Sequence, residues 1–163
     1  MCIRDSSKSE QQTLGRNNSE PGINNGNWYK TPFDKTHDIS ITGSYELNDK
    51  WELNANFLYQ TGQPTTYPNG QYVYNGLVIP TYETRNSSRL PAYHRFDLSA
   101  NYSPKLEKTK AWRGEWIFSI YNLYNRKNTQ SLNFRQNDNT GQNEALKLSI
   151  FGAIAAVSYN FKF

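Results

Sequence analysis

The chain has a single cysteine, Cys2, so no intrachain disulfide framework can brace it. No stretch approaches about 18 consecutive apolar residues, which excludes a membrane-spanning helix as an expectation. Residues 1–10 contain no apolar leader core, so no signal peptide is read there. That leaves two expectations: a cytoplasmic chain, or one whose true beginning is missing. Apolar material is also scarce. Only 36% of the 163 residues are hydrophobic, and mean hydropathy is −0.87. Disordered chains share that poverty but lack aromatics, and here 15% of residues are Phe, Tyr or Trp. The 20 Asn outnumber the 10 Gly and 7 Pro together. Apolar mass is therefore concentrated in aromatic and β-branched positions with polar residues between them, a mixture that suits strands.

The net charge is +4. Much of it sits in one place, where Lys105, Lys108, Lys110 and Arg113 face Glu107 alone. A nucleic-acid face would interleave stacking aromatics with such charges. Only Trp112 is nearby, so the cluster reads as a solvated turn, and no nucleic-acid partner is expected.

Residues 1–36 have no periodicity and read as an irregular lead and loop. Residues 1–6 match nothing downstream and are set aside from the fold reading as an artefact of gene calling. From 38 to 47, Ile39, Ile41, Gly43, Tyr45 and Leu47 alternate with polar residues. This is the two-residue period of a strand. Asn48-Asp49-Lys50 makes a tight turn. Trp51, Leu53, Ala55, Phe57 and Tyr59 then continue the alternation, completing a hairpin. Residues 63–90, broken by Pro64, Pro68, Asn69-Gly70, Asn75-Gly76 and Pro80, read as a long loop. Alternation resumes from His94 to Tyr102, and again around Trp116, Phe118 and Ile120. A polar loop carries residues 137–141. Residues 144–163 read as one long strand that ends Val157, Tyr159, Phe161, Phe163.

The expected fold class is all-β and antiparallel, with five strands linked by short, long, intermediate and long connections. Strands of about ten residues match what a tilted strand needs to cross a bilayer. Their apolar faces carry no charge, and their polar faces carry Glu, Asn, Gln, Arg and Asp, as a lipid-facing and a lumen-facing side require. Suppose the C-terminus points to the periplasm. Tyr45, Trp51, Tyr102, Trp112, Phe161 and Phe163 then fall on one rim, and Tyr59, Tyr93 and Tyr124 on the other. Aromatic girdles of this kind mark lipid–water interfaces. All long loops fall on the extracellular side. Five strands cannot close a membrane barrel, and an open edge in lipid leaves backbone groups unpaired. Residues 37–163 are therefore expected to be the C-terminal part of a larger barrel.

Several segments resemble the C-terminal end of TonB-dependent outer-membrane receptors of the Bacteroidetes type. They are Leu90-Pro91-Ala92-Tyr93-His94-Arg95-Phe96-Asp97-Leu98-Ser99, then Ile120-Tyr121-Asn122-Leu123-Tyr124-Asn125-Arg126-Lys127-Asn128, then Ser149-Ile150-Phe151-Gly152, and the ending Val157-Ser158-Tyr159-Asn160-Phe161-Lys162-Phe163. The resemblance spans about residues 24–163. It implies a 22-stranded transmembrane barrel occluded by an N-terminal plug. It also implies energy-coupled uptake of a siderophore, vitamin, glycan or peptide, with TonB, the plug and the outer-membrane lipid as partners. The ending is similar to the signal read by barrel-assembly machinery, which gives Val157, Tyr159, Phe161 and Phe163 that role.

No catalytic constellation is present, so no enzyme and no cofactor are expected. His37 and His94 have no second ligand at metal spacing. Arg95 and Asp97 share a face and read as an ion pair of the wall. Residues 138–141 are similar to a calcium loop but lack the later carboxylate, and read as a turn. Tyr67, Tyr72, Tyr74 and Tyr82 are the candidate extracellular ligand contacts, since Tyr offers a flat apolar face and a hydroxyl. Loop tyrosines packing on each other are the alternative. The rival functions are a secreted carbohydrate-binding β-sandwich and a passive porin-like barrel.

Overall fold

The computed structural model describes residues 2–4, 7–16, 20–82, 84–104, 113–137, 140–141 and 143–162. Along these residues run the strands β1 (Cys2–Arg4), β2 (Glu10–Gln11), β3 (Tyr29–Lys30), β4 (Asp38–Asn48), β5 (Trp51–Gln60), β6 (Pro64–Thr65), β7 (Gly70–Tyr74), β8 (Leu77–Thr81), β9 (Ser88–Arg89), β10 (Tyr93–Tyr102), β11 (Arg113–Tyr121), β12 (Ser131–Gln136), β13 (Asn143–Leu148) and β14 (Ile154–Lys162). A 3-10 turn at Ile23–Gly26 lies between β2 and β3. The protein is all-β, every paired strand is antiparallel, and the described residues contain no α-helix.

The main sheet has six strands in the order β1-β4-β5-β10-β11-β14. Apart from β1 it is an up-and-down meander interrupted by two excursions. Its five long strands have 11, 10, 10, 9 and 9 residues. β4 and β5 are joined by Asp49 and Lys50, with the Asn48 side-chain oxygen accepting from the Lys50 and Trp51 amides at 2.9 and 3.1 Å. This side chain-to-backbone turn suits Asn. The two long excursions, residues 61–92 and 122–153, leave from the opposite end of the sheet. Neither edge meets the other, so the sheet stays open.

The structure departs from the sequence reading in three places. First, the lead is not wholly irregular. Cys2–Arg4 pairs with Ser40, Ile39 and Asp38, because the free edge of β4 offers backbone groups to any extended segment. Second, the first excursion contains a hairpin, with Tyr72 opposite Ile79 and Tyr74 opposite Leu77. Asn75 and Gly76 form its turn at φ 50° and 79°, as the left-handed two-residue hairpin turn requires. Third, the expected long strand over residues 144–163 is two strands. β13 turns away to pair with β12, and β14 joins the main sheet. The break falls at 149–153. There the Asn125 side-chain oxygen accepts from the Ala153 amide at 2.9 Å, and a Cβ on Gly152 would collide with it.

Burial is slight throughout. Among the described residues Tyr29 is the only large hydrophobic side chain that is buried. It lies in the lead, where its hydroxyl meets the Thr13 hydroxyl at 2.9 Å and the Arg85 guanidinium sits 5.8 Å from its ring. Among the described residues no second layer packs on the main sheet. On its apolar side the Tyr159 ring covers Gly114, which is buried beneath it, and a Cβ there would run into the phenol. Gly43, on the same side, has open space around it. Gly114→Ala is therefore expected to lift Tyr159 and cost about 1 kcal/mol. Gly43→Ala should be neutral or slightly stabilising. The midpoint of heat-induced unfolding of the full-length protein reads both.

Candidate functional site: a two-faced sheet and its excursions

Strand register decides which side chains share a face. Across the sheet run the rows Ile41–Phe57–Phe96, Gly43–Ala55–Leu98–Ile120–Ala155, Tyr45–Leu53–Ala100–Phe118–Val157 and Trp51–Tyr102–Trp116–Tyr159. Side chains alternate along a strand, so these rows lie on one side. Among the described residues that side carries no Asp, Glu, Lys or Arg. It is open to its surroundings: Tyr45 is 65% exposed, Val157 62%, Phe161 61% and Trp116 43%.

Its aromatics collect at the two ends. At the end with the short turn, Trp51 and Tyr102 have ring centroids 4.8 Å apart, and Trp116 and Tyr159 are 4.7 Å apart. Phe118 lies 6.3 Å from Trp51, and Phe161 lies 6.3 Å from Tyr159. At the far end Tyr59, His94 and Tyr124 form a second group, with His94 6.3 Å from Tyr59 and 5.6 Å from Tyr124. The Tyr124 hydroxyl hydrogen-bonds the His94 Nδ1 at 2.7 Å. Trp116 was not among the expected girdle residues. Tyr93, which was, is on the other face, because it immediately precedes His94 in an extended strand. Its hydroxyl meets Tyr121 at 3.3 Å and accepts from Arg95 at 3.5 Å. Trp112, Phe163 and most of the basic turn lie outside the described residues.

The opposite face is mostly polar, with rows Ser44–Asn54–Ser99–Ser119–Ala156 and Glu46–Glu52–Asn101–Ile117. Arg95 Nε stands 3.0 Å from Asp97 Oδ2, the expected ion pair, and the guanidinium lies 4.3 Å from the Tyr121 ring centroid. The Thr42 hydroxyl donates to Asn56 Oδ1 at 3.0 Å, and Asn56 Nδ2 donates to Asp97 Oδ2 at 3.5 Å. A relay of polar groups thus crosses three strands on this side.

Asp97 also holds the second excursion. Its Oδ1 accepts from the Asn122 amide at 2.9 Å. Asn122 is 1% exposed and sits at φ 53°, a left-handed conformation that Asn tolerates. Its side chain donates to the Arg126 carbonyl at 2.8 Å and accepts from the Arg126 amide at 3.1 Å. Asn128 treats His94 as a strand neighbour would: it accepts from the His94 amide at 3.2 Å and donates to the His94 carbonyl at 2.9 Å. Asn122, Asn125 and Asn128 thus turn the chain, start β14 and extend the β10 ladder. Their spacing of three at a strand end was the signal available in the sequence.

The first excursion is tied to the lead by a buried ion pair. Arg89 binds the carboxylate of Asp34, which is 1% exposed, and also the Gly62 carbonyl at 2.9 Å and the Thr36 hydroxyl at 3.0 Å. Burial pushes the Asp34 carboxyl up. The Ser9 amide, the Arg89 hydrogen bond and the charges of Arg89 and Lys30 outweigh it and hold its pKa below the ordinary value. The candidate ligand tyrosines divide. Tyr67 is engaged, its hydroxyl donating to the Arg89 carbonyl at 3.2 Å and its ring edge-on to Phe134 at 5.8 Å. Tyr72 and Tyr74 share one face of the free hairpin, 52% and 63% exposed, and Tyr82 follows it at 52%.

Among the described residues no three His, Cys, Asp or Glu gather as metal ligands. No described helix is long and apolar enough to cross a membrane, which says nothing of strands. Compared with protein families, with curated proteins and with solved structures, the chain matches none. Asn122→Ala is expected to cost about 2 kcal/mol by orphaning the Arg126 backbone groups. Limited proteolysis would then cut within residues 122–130. Asn122→Gly, which keeps the backbone conformation but not the bonds, should be cut to a lesser degree.

Proposed function

We propose that this chain is part of the wall of an outer-membrane β-barrel, the C-terminal staves of a TonB-dependent receptor for energy-coupled uptake. One observation carries the reading. Five antiparallel strands present an uncharged apolar face with no described element packed on it, backed by a mostly polar face. In water such a face needs a second layer. In a bilayer it needs none, because hydrocarbon is its partner. The strand lengths of 9–11 residues, the two aromatic groups and the placement of both long excursions at one end all support the same reading.

The remaining strands of the barrel and a plug would complete the lumen that the polar face borders. The residue-level resemblance supports the receptor class, with a siderophore, vitamin, glycan or peptide as cargo. Tyr72, Tyr74 and Tyr82 are the exposed candidates for meeting that cargo, and Val157, Tyr159 and Phe161 lie on the last strand, where an assembly signal would be read. A carbohydrate-binding sandwich would bury the apolar face under a second sheet, and no such sheet is found among the described residues.

Lysine substitution separates the two faces. Phe118→Lys and Val157→Lys in the full-length protein should each cost about 2–4 kcal/mol in lipid and lower the yield of folded barrel in the outer membrane. Ser99→Lys and Ser119→Lys, on the other face, should leave it unchanged. Equal losses on both faces would contradict the proposal.

A further inference from the structure

At the excursion end, the apolar side of the sheet changes chemistry. Ile39, Tyr59 and His94 are register neighbours on β4, β5 and β10. The ladder runs one residue further on β4. There the Thr61 amide donates to the His37 carbonyl at 2.9 Å, and the His37 amide donates to the Thr61 hydroxyl at 3.0 Å. Alternation therefore puts the exposed His37 on the same side as Ile39.

Arg126 reaches this rim from the second excursion. Its guanidinium donates to the Ala92 carbonyl and to Asn128 Oδ1, both at 3.3 Å, beside the start of β10. Its charge acts on both the His94 ring and the Tyr124 hydroxyl, which are hydrogen-bonded to each other at 2.7 Å. A guanidinium carries more N–H donors than these two bonds use. Arg89, Arg95 and Arg135 each face a carboxylate. Among the described residues none pairs with Arg126, nor with the exposed Lys127 that follows it.

A guanidinium without a carboxylate selects an anion, and its planar fork suits phosphate. What lies beneath it selects the rest of the molecule. Two residues down the strands, about 7 Å away at the strand rise, comes the row Ile41–Phe57–Phe96. Ile41 is exposed there, and no described element covers the row. A free phosphate gains nothing from that surface. A molecule with a phosphate at one end and an acyl chain at the other meets both, its head at Arg126 and its chain along Phe96, Phe57 and Ile41. Tyr59 and Tyr124, each with an apolar ring and a polar tip, stand at the boundary between the two chemistries.

We infer that this rim is a docking site for the phosphate headgroup of a membrane lipid, with Arg126 as its anchor and Lys127 and His37 as flanking donors. The inference deepens the barrel reading and rests on it, since a lipid reaches the rim only if the apolar side faces hydrocarbon.

Local lipid enrichment tests it in the full-length protein reconstituted into phosphatidylcholine vesicles. A fluorophore at Leu123→Cys, an exposed position on the same turn, is the reporter. Phosphatidic acid brominated near its headgroup, added as a minor component, should quench it about fivefold more per lipid than brominated phosphatidylcholine, the preference expected of one basic side chain at a membrane surface. The Arg126→Gln/Lys127→Gln double variant should bring the two lipids level. Arg126→Lys, which keeps the charge and alters the bonds to Ala92 and Asn128, should retain most of the preference. Equal quenching by both lipids in the unsubstituted rim would overturn the inference, as would an unchanged preference in the double variant. Brominated stearate quenching as well as phosphatidic acid would overturn the choice of phosphate. Loss of the preference in millimolar inorganic phosphate would make this a free-phosphate site and overturn the choice of a lipid. A protein that resists alkaline extraction from the vesicles yet shows no preference loses this inference alone. One that washes out of them loses the barrel reading as well.

Discussion

A sheet one layer thick with an uncharged aromatic and aliphatic side has to put that side against something apolar. The arrangement of the main sheet follows from that constraint. Rows such as Tyr45–Leu53–Ala100–Phe118–Val157 would each order water along their length, and no described element covers them. The backbone imposes a second demand. The outer edge of β14 and most of the edge of β4 beyond Ser40 have no paired strand among the described residues. In a low-dielectric medium such groups need a neighbour, so wall and closure belong to one argument. The pairing of Cys2–Arg4 with β4 is what a receptive edge does with the nearest extended segment.

Order at the excursion end has a different source. There is almost no apolar burial to hold the loops, so polar groups do it. Asp97 anchors the Asn122 turn, Asn128 prolongs the β10 ladder, Asn125 starts β14, and Asp34 with Arg89 ties the lead to residues 61–92. Side-chain amides can imitate a peptide group, and a loop built on them stays defined without a hydrophobic core. This accounts for the abundance of Asn, which composition alone presents as a loop signal.

The strands of the main sheet were legible because period two is a strong signal and a register slip would reverse both faces. The direction of each strand and the side taken by the long connections followed from alternation. The β7–β8 hairpin was not legible in the same way. Val73 and Val78 interrupt its alternation, and Asn75-Gly76 was read as one breaker among several rather than as a hairpin turn. The break between β13 and β14 was hidden because Leu146, Ile150 and Ile154 continue the apolar spacing through it. Its cause is a contact from Asn125, far away in sequence. The face of Tyr93 follows from counting back from Phe96, and position at a strand end misassigned it.

The central claim is that the side bearing Trp116 faces hydrocarbon. Quenching of Trp116 fluorescence tests it directly, in the full-length protein with its other tryptophans replaced by Phe and reconstituted into vesicles. Lipids brominated on the acyl chain should quench Trp116 strongly, and an aqueous quencher should reach it poorly, while a fluorophore attached at Ser119→Cys shows the reverse. Trp116 quenched from water and untouched by brominated lipid would contradict the account.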